Sequence, residues 1–134
     1  MVLLRLHVSL RYWASHSTDP VSIRTRLIAG LEYSVDTALP DVTVWRDLEI
    51  FAKECLPELA AAADLNLVAH PNDDAVVCPT GVLGRCNLAV GPEGGFIDAE
   101  VETLVAHGFA PLSLGPRILP VETAVHVLLG KLCF

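Results

Sequence analysis

The chain has no run of roughly 20 consecutive apolar residues, so no membrane-spanning helix is expected, even at a mean hydropathy of +0.49. Its four cysteines, at 55, 78, 86 and 133, form no CxxC pair and no regular framework. That excludes a disulfide scaffold and points to reduced thiols. A zinc site from His70, Cys78 and Cys86 would match no familiar ligand spacing, so burial is the simpler account of the thiols and no metal is expected. Positive charge is scarce as well. Lys and Arg total 9 against 16 Asp and Glu, a net charge of −7. A protein that grips RNA through phosphates needs a basic surface, so this chain alone is a poor RNA binder. Neither a P-loop nor a GxGxxG motif occurs, which argues against an ordinary nucleotide-binding α/β domain. Residues 1–8 are too short and lack the charged leader of a secretory signal, and a cytoplasmic setting is expected.

What is abundant is apolar sequence: 52% of 134 residues are hydrophobic. This is the length of one domain, 1–134, with a sizeable core. Parallel strands buried on both faces and a subunit interface are two places for so much apolar surface.

Residues 1–8 read as a buried strand and 12–19 as the loop leaving it. Asp19 and Pro20 start a helix, as cap and first-turn proline, with Ile23, Leu27, Ile28 and Leu31 on one face up to about residue 37. Pro40 stops it. Residues 42–45 form a short strand, 47–55 a helix broken near Pro57, and 65–69 the next strand. His70 and Pro71 follow that strand, and a packed loop histidine is the bland reading of His70. Residues 71–85, polar and rich in turn formers, read as a surface connection.

Two turns then organise the chain. The first is GPEGGF at 91–96, a strand end with three glycines, followed by the acidic start of a helix at Ile97, Asp98, Glu100 and Glu102. Glycine at 91, 94 and 95 permits positive φ and close approach of the backbone to a bound group. The second is LGPRILP at 114–120, again a strand end, with Pro120 at a permitted first helical position and a helix over 121–133. Strands alternating with helices predict an α/β fold with a mainly parallel sheet and flanking helices. Both turns then lie at the carboxyl edge of one sheet, where open α/β sheets bind ligands. The last helix is apolar around most of its circumference, through Val121, Ala124, Val125, Val127, Leu128, Leu129 and Leu132. One side packs on the sheet and the other needs cover.

Together GPEGGF, SLGPRIL and the ETA at 122–124 closely resemble the carboxy-terminal signature of the ribosomal RNA small subunit methyltransferase E family, the 16S uridine-N3 methyltransferases of the SPOUT class. Arg11, Tyr12 and Trp13, then Leu31 and Glu32 with residues 36–40, then residues 67–71, look like family segments in the same order. The resemblance implies a deep trefoil knot holding S-adenosylmethionine in a bent shape between the two glycine turns and the His70 loop, with His70, Gly91, Glu93, Gly94, Gly95, Leu114, Gly115, Ile118, Leu119, Glu122 and Ala124 as the binding residues. It places adenine near Leu114, Ile118 and Leu119. Arg117 is then the cation for stabilising the developing anion or contacting phosphate, and Glu93 a polar orienter. A surface arginine and a cap on the following helix are their bland readings. The resemblance further implies a homodimer through the last helix, and action on 16S RNA or the small subunit when joined to an RNA-binding domain. The family's amino-terminal β-barrel and the first strand and helix of its methyltransferase domain are not recognisable, so a truncated domain is expected. Pro120 stands where the family has arginine, and Tyr33 and Val35 stand near an expected glutamine and arginine. These departures keep a non-catalytic cofactor-binding or dimerisation module open as the alternative.

Overall fold

The computed structural model describes residues 5–9 by their backbone, and residues 19–45 and 47–134 in full. Residues 12–18 of the loop expected at 12–19, and Arg11 before them, lie outside the described residues, and with them Tyr12 and Trp13. The chain divides into two compact units, Met1–Phe51 and Ala52–Phe134.

In the first unit, β1 (Arg5–Ser9) pairs in parallel with β2 (Asp41–Trp45), and α1 (Pro20–Ser34) connects them. The sequence cues at its start act as expected. The Asp19 carboxylate accepts the Ser22 N–H at 2.9 Å, and Pro20 opens the first turn, where its missing N–H costs nothing. Ile23, Leu27 and Leu31 are half-buried, while Ile28 is exposed, so the apolar face is narrower than its spacing suggested. The helix ends at Val35 with φ 55°, the left-handed cap conformation, where its N–H reaches Leu31 O. A β-branched residue is strained there. Val35→Gly is therefore expected to raise stability by up to about 1 kcal/mol, net of glycine's extra unfolded-state entropy. A thermal melt showing no gain would count against that cap. Trp45 meets Phe51, in α2 (Leu48–Glu54), edge to face at 5.7 Å between ring centres.

In the second unit, α3 (Leu56–Ala61), β3 (Leu65–Ala69), β4 (Val76–Val77), β5 (Cys86–Val90), α4 (Asp98–Ala106), β6 (Ala110–Ser113) and α5 (Val121–Cys133) follow in order. The four strands form one sheet, β4-β6-β3-β5, and every ladder is parallel. The expected class, α/β with a mainly parallel sheet and flanking helices, is thus the observed one. Leu67, Cys78, Leu112, Leu128 and Leu132 form its buried cluster, from β3, the end of β4, β6 and one stripe of α5. Leu67 and Val68 are successive residues on opposite faces of β3 and both are buried, as a central parallel strand requires.

Two details escaped the sequence reading. Residues 71–85 are more than a surface connection: Val76 and Val77 pair with β6, Cys78 is buried, and the N–H groups of Gly81 and Val82 donate to Lys131 O and Leu132 O at 2.8 Å. Those bonds satisfy carbonyls left open at the end of α5. Asn66 and Asn87 face each other across β3 and β5, where the Asn87 amide donates to Asn66 Oδ1 at 2.7 Å and to Leu59 O at 2.9 Å. Asn66 in turn donates to Ala60 O at 3.0 Å, so the pair ties α3 to the sheet.

Candidate functional site

Three strands deliver the predicted residues to one edge. β3 lies between β5 and β6, and its last residue, Ala69, is in register with Val90 on one side and Leu112 on the other. The next residues, His70 and Gly91, therefore leave the sheet at the same level, with Ser113 and Leu114 on the opposite flank. His70 is fastened there by its own N–H, which donates to Leu112 O at 3.2 Å. The two glycine turns expected at one edge of the sheet both follow strands that end there, separated by the strand that carries His70.

In the first turn the Gly95 N–H donates to Pro92 O at 2.7 Å, closing residues 92–95. The three glycines serve different purposes. A Cβ on Gly91 would stand 2.9 Å from Phe96 N and 3.0 Å from Gly95 C, so this glycine permits the turn to fold onto itself. Gly95 has φ 71°, and a Cβ there would meet nothing. Gly91 and Gly94 were expected to share the positive φ and neither does, yet Gly94 too borders open space. Gly94 and Gly95 thus present bare backbone outward, the surface a ligand can approach closely. Glu93 does not cap α4; Glu100 does, its carboxylate accepting the Ile97 N–H at 2.9 Å while its own N–H donates to Ile97 O at 2.9 Å. Glu93 is exposed and has no hydrogen bond among the described residues.

The second turn follows β6. Ser113 Oγ lies 3.1 Å from both Gly115 N and Gly115 O, and Gly115 takes φ 126° with open space where a Cβ would project. Arg117 is exposed and unpaired among the described residues, Ile118 is 88% exposed, and Leu119 is half-buried. Pro120 sits at the N-cap of α5, one residue before the expected position, and Ala124 N–H donates to its carbonyl at 2.8 Å. Glu122 is exposed in the first turn of α5, whereas Ala124 packs against the core cluster.

Beside this turn is a partly open cavity of about 150 Å³, lined by Ala75, Val77, Cys78, Ser113, Leu114, Gly115 and Lys131. Leu114 and Gly115 were among the expected site residues. The other five were missed: Ala75, Val77 and Cys78 because a strand as short as Val76–Val77 leaves only a brief β-branched run between Asp74 and Pro79, and Ser113 and Lys131 because no local pattern points them at a common recess. Burial pushes the Cys78 thiol above its ordinary pKa, against the pull of the Lys131 charge. Cys86 is raised too, by burial first and then by Cys133 and Cys78. Both thiols stay protonated and unreactive at neutral pH. Among the described residues no group of His, Cys, Asp and Glu is placed to hold a metal ion, and no helix is long and apolar enough to cross a membrane.

A parallel sheet with glycine turns after β5 and β6, flanking the strand that carries His70, defines an open α/β fold of the class that binds ligands at the carboxyl edge of its strands. The RNA methyltransferase domain model matches residues 2–132, and the chain belongs to that family, as a member of the ribosomal RNA small subunit methyltransferase E group. A ribosomal RNA small subunit methyltransferase E of Synechocystis is 37% identical over 76 residues, 57% of this chain and 25% of that protein. Among solved structures, a Legionella pneumophila methyltransferase in complex with S-adenosylmethionine superposes with a TM-score of 0.68 at 27% identity, over 92% of this chain and 52% of that one. A Neisseria gonorrhoeae ribosomal RNA small subunit methyltransferase E, also bound to S-adenosylmethionine, shares the fold with a TM-score of 0.66 at 23% identity, over 95% of this chain and 54% of that one. The chain spans about half the length of these solved relatives.

Proposed function

We propose that this chain is the methyltransferase domain of an S-adenosylmethionine-dependent enzyme acting on uridine N3 of 16S ribosomal RNA. The observation that carries the reading is the common level of three strand ends, with His70 between the GPEGG and LGPRIL turns. The residues present fit the cofactor: glycines 94, 95 and 115 leave space that any side chain would fill, and Leu114 with Gly115 borders a ring-sized cavity. When bound, S-adenosylmethionine supplies an activated methyl group on a sulfonium.

The chain's own work is then alignment, which can supply much of the rate when donor and acceptor are held in line. His70, Gly91 and the Glu93 to Gly95 turn would hold the methionine part. Leu114, Gly115, Ile118, Leu119, Glu122 and Ala124 would surround the adenine side. Uridine N3 carries a proton that must leave, and Arg117, exposed and free of partners among the described residues, would stabilise the anion left behind or hold a phosphate. Glu93, equally uncommitted, would orient the substrate. A trefoil knot belongs to the proposal as the family resemblance implies it. A single domain spanning 1–134, a homodimer through α5, a small-subunit substrate and a cytoplasmic setting complete it.

One observation favours the second reading, a non-catalytic cofactor-binding or dimerisation module: Pro120 occupies the family's arginine position in a chain of net charge −7. Pro120 has φ −54° and ψ 147°, a conformation arginine adopts freely, so Pro120→Arg should fold. Titration calorimetry should show S-adenosylmethionine binding to the unmodified chain. Tritiated-methyl transfer to small ribosomal subunits should be very weak, and rise only when Pro120→Arg is combined with an RNA-holding domain, because the two changes act on different steps. Absence of binding would end the enzyme reading and leave only a dimerisation module. Binding without transfer in any combination would leave the module.

A further inference from the structure

The cavity beside the second turn has walls that are mostly apolar, and its polar side chains are nearly all committed. Ser113 Oγ is held by Gly115, and the Cys78 thiol donates to Pro79 O at 3.5 Å. Lys131 is the exception. Its backbone carbonyl accepts the Gly81 N–H, but its ammonium has no hydrogen-bond or ion-pair partner among the described residues. Its side chain is half-buried on the cavity wall, and its charge is felt by the buried Cys78 thiol on the same wall. No carboxylate lines the cavity. A lysine in the last turn of a helix is favoured by the helix dipole, which accounts for a cation at that end of α5. The dipole does not account for the side chain lining a mostly apolar recess that holds no carboxylate.

A cavity of about 150 Å³ holds a single benzene-sized ring in other proteins, so this partly open recess has room for one ring of a fused pair with the other at its mouth. An uncommitted ammonium selects, among flat heteroaromatic groups, those with an unshared pair in the ring plane. We infer that Lys131 is a binding residue of this site, donating a hydrogen bond to a ring nitrogen of the purine that enters between β4 and the turn after β6. The inference rests on the cofactor reading above and adds to it a residue outside both glycine motifs. A hydrogen bond from a charged donor is worth about tenfold in affinity.

Titration calorimetry would use the full chain with S-adenosylhomocysteine and a set of its analogues, each with one adenine ring nitrogen replaced by C–H. Lys131→Met keeps the stem and removes the charge, and Lys131→Arg keeps the charge; circular dichroism melts confirm that both fold. In the unmodified chain one analogue should bind about tenfold more weakly than the parent. Lys131→Met should bind the parent about tenfold more weakly and should no longer distinguish that analogue from it, while Lys131→Arg recovers part of the discrimination. A Lys131→Met chain that binds every ligand as the unmodified chain does, or weakens parent and analogues alike, overturns the assignment and leaves the cofactor reading standing. An unmodified chain that binds none of them overturns both.

Discussion

Gly91→Ala is expected to destabilise the second unit by roughly 1–3 kcal/mol, the usual cost of forcing a group into occupied space. The added Cβ would sit 2.9 Å from Phe96 N and 3.0 Å from Gly95 C, and both obstacles are backbone, which cannot rotate away as a side-chain tip does. Relief requires opening the 92–95 turn, so cofactor affinity should fall together with stability. Gly94 is the control. Nothing lies within 4 Å of a Cβ placed there, and its φ is not in the left-handed region, so Gly94→Ala should leave stability unchanged or slightly raised. Gly94→Val should weaken S-adenosylmethionine binding without destabilising, because it would obstruct only an incoming ligand. Guanidinium unfolding and calorimetry on the three variants give the two readouts. Equal stability of Gly91→Ala and Gly94→Ala would refute the close-packed turn.

The largest effect on stability is expected at Leu128, which is fully buried at the centre of the cluster formed by Leu67, Cys78, Leu112 and Leu132. Leu128→Ala should cost about 2–5 kcal/mol, through lost transfer energy and the cavity left behind. A charge at this position would unfold the unit, so Leu128→Glu cannot report on an interface. Val127 can: it is on the same helix and 36% exposed. If α5 packs against a second copy of the chain, Val127→Glu should shift sedimentation toward monomer while the melting temperature of the monomer stays near that of the unmodified chain. A dimer indifferent to Val127→Glu would remove α5 from the interface, and a Leu128→Ala chain as stable as its parent would contradict the core assignment.

The predicted fold class and most helices and strands agree with the structure because their signals are local. Asp19 and Pro20 mark a helix start by a carboxylate and a missing N–H, and Leu65–Ala69 is an apolar run of strand length between turn formers. The last helix was bounded at 121 and 133, as observed, by a proline before it and an uninterrupted apolar pattern within it. Glycine is ambiguous in sequence. Gly91, Gly94 and Gly95 look alike as letters, and only coordinates separate one that excludes a clash from one that takes positive φ and one that does neither.

Residue types and their order alone therefore determined an acidic, apolar-rich α/β chain whose two glycine turns end strands, and the family to which those turns belong. Tertiary structure decided which strands are neighbours. It placed β3 between β5 and β6, which brings His70 level with turns 20 and more residues away, and it set β6 against β4, which joins Cys78 and Lys131 to the wall of one cavity. No local pattern encodes those pairings. A parallel ladder joins residues far apart in sequence through backbone groups common to every residue, so partner choice is settled by which faces bury together.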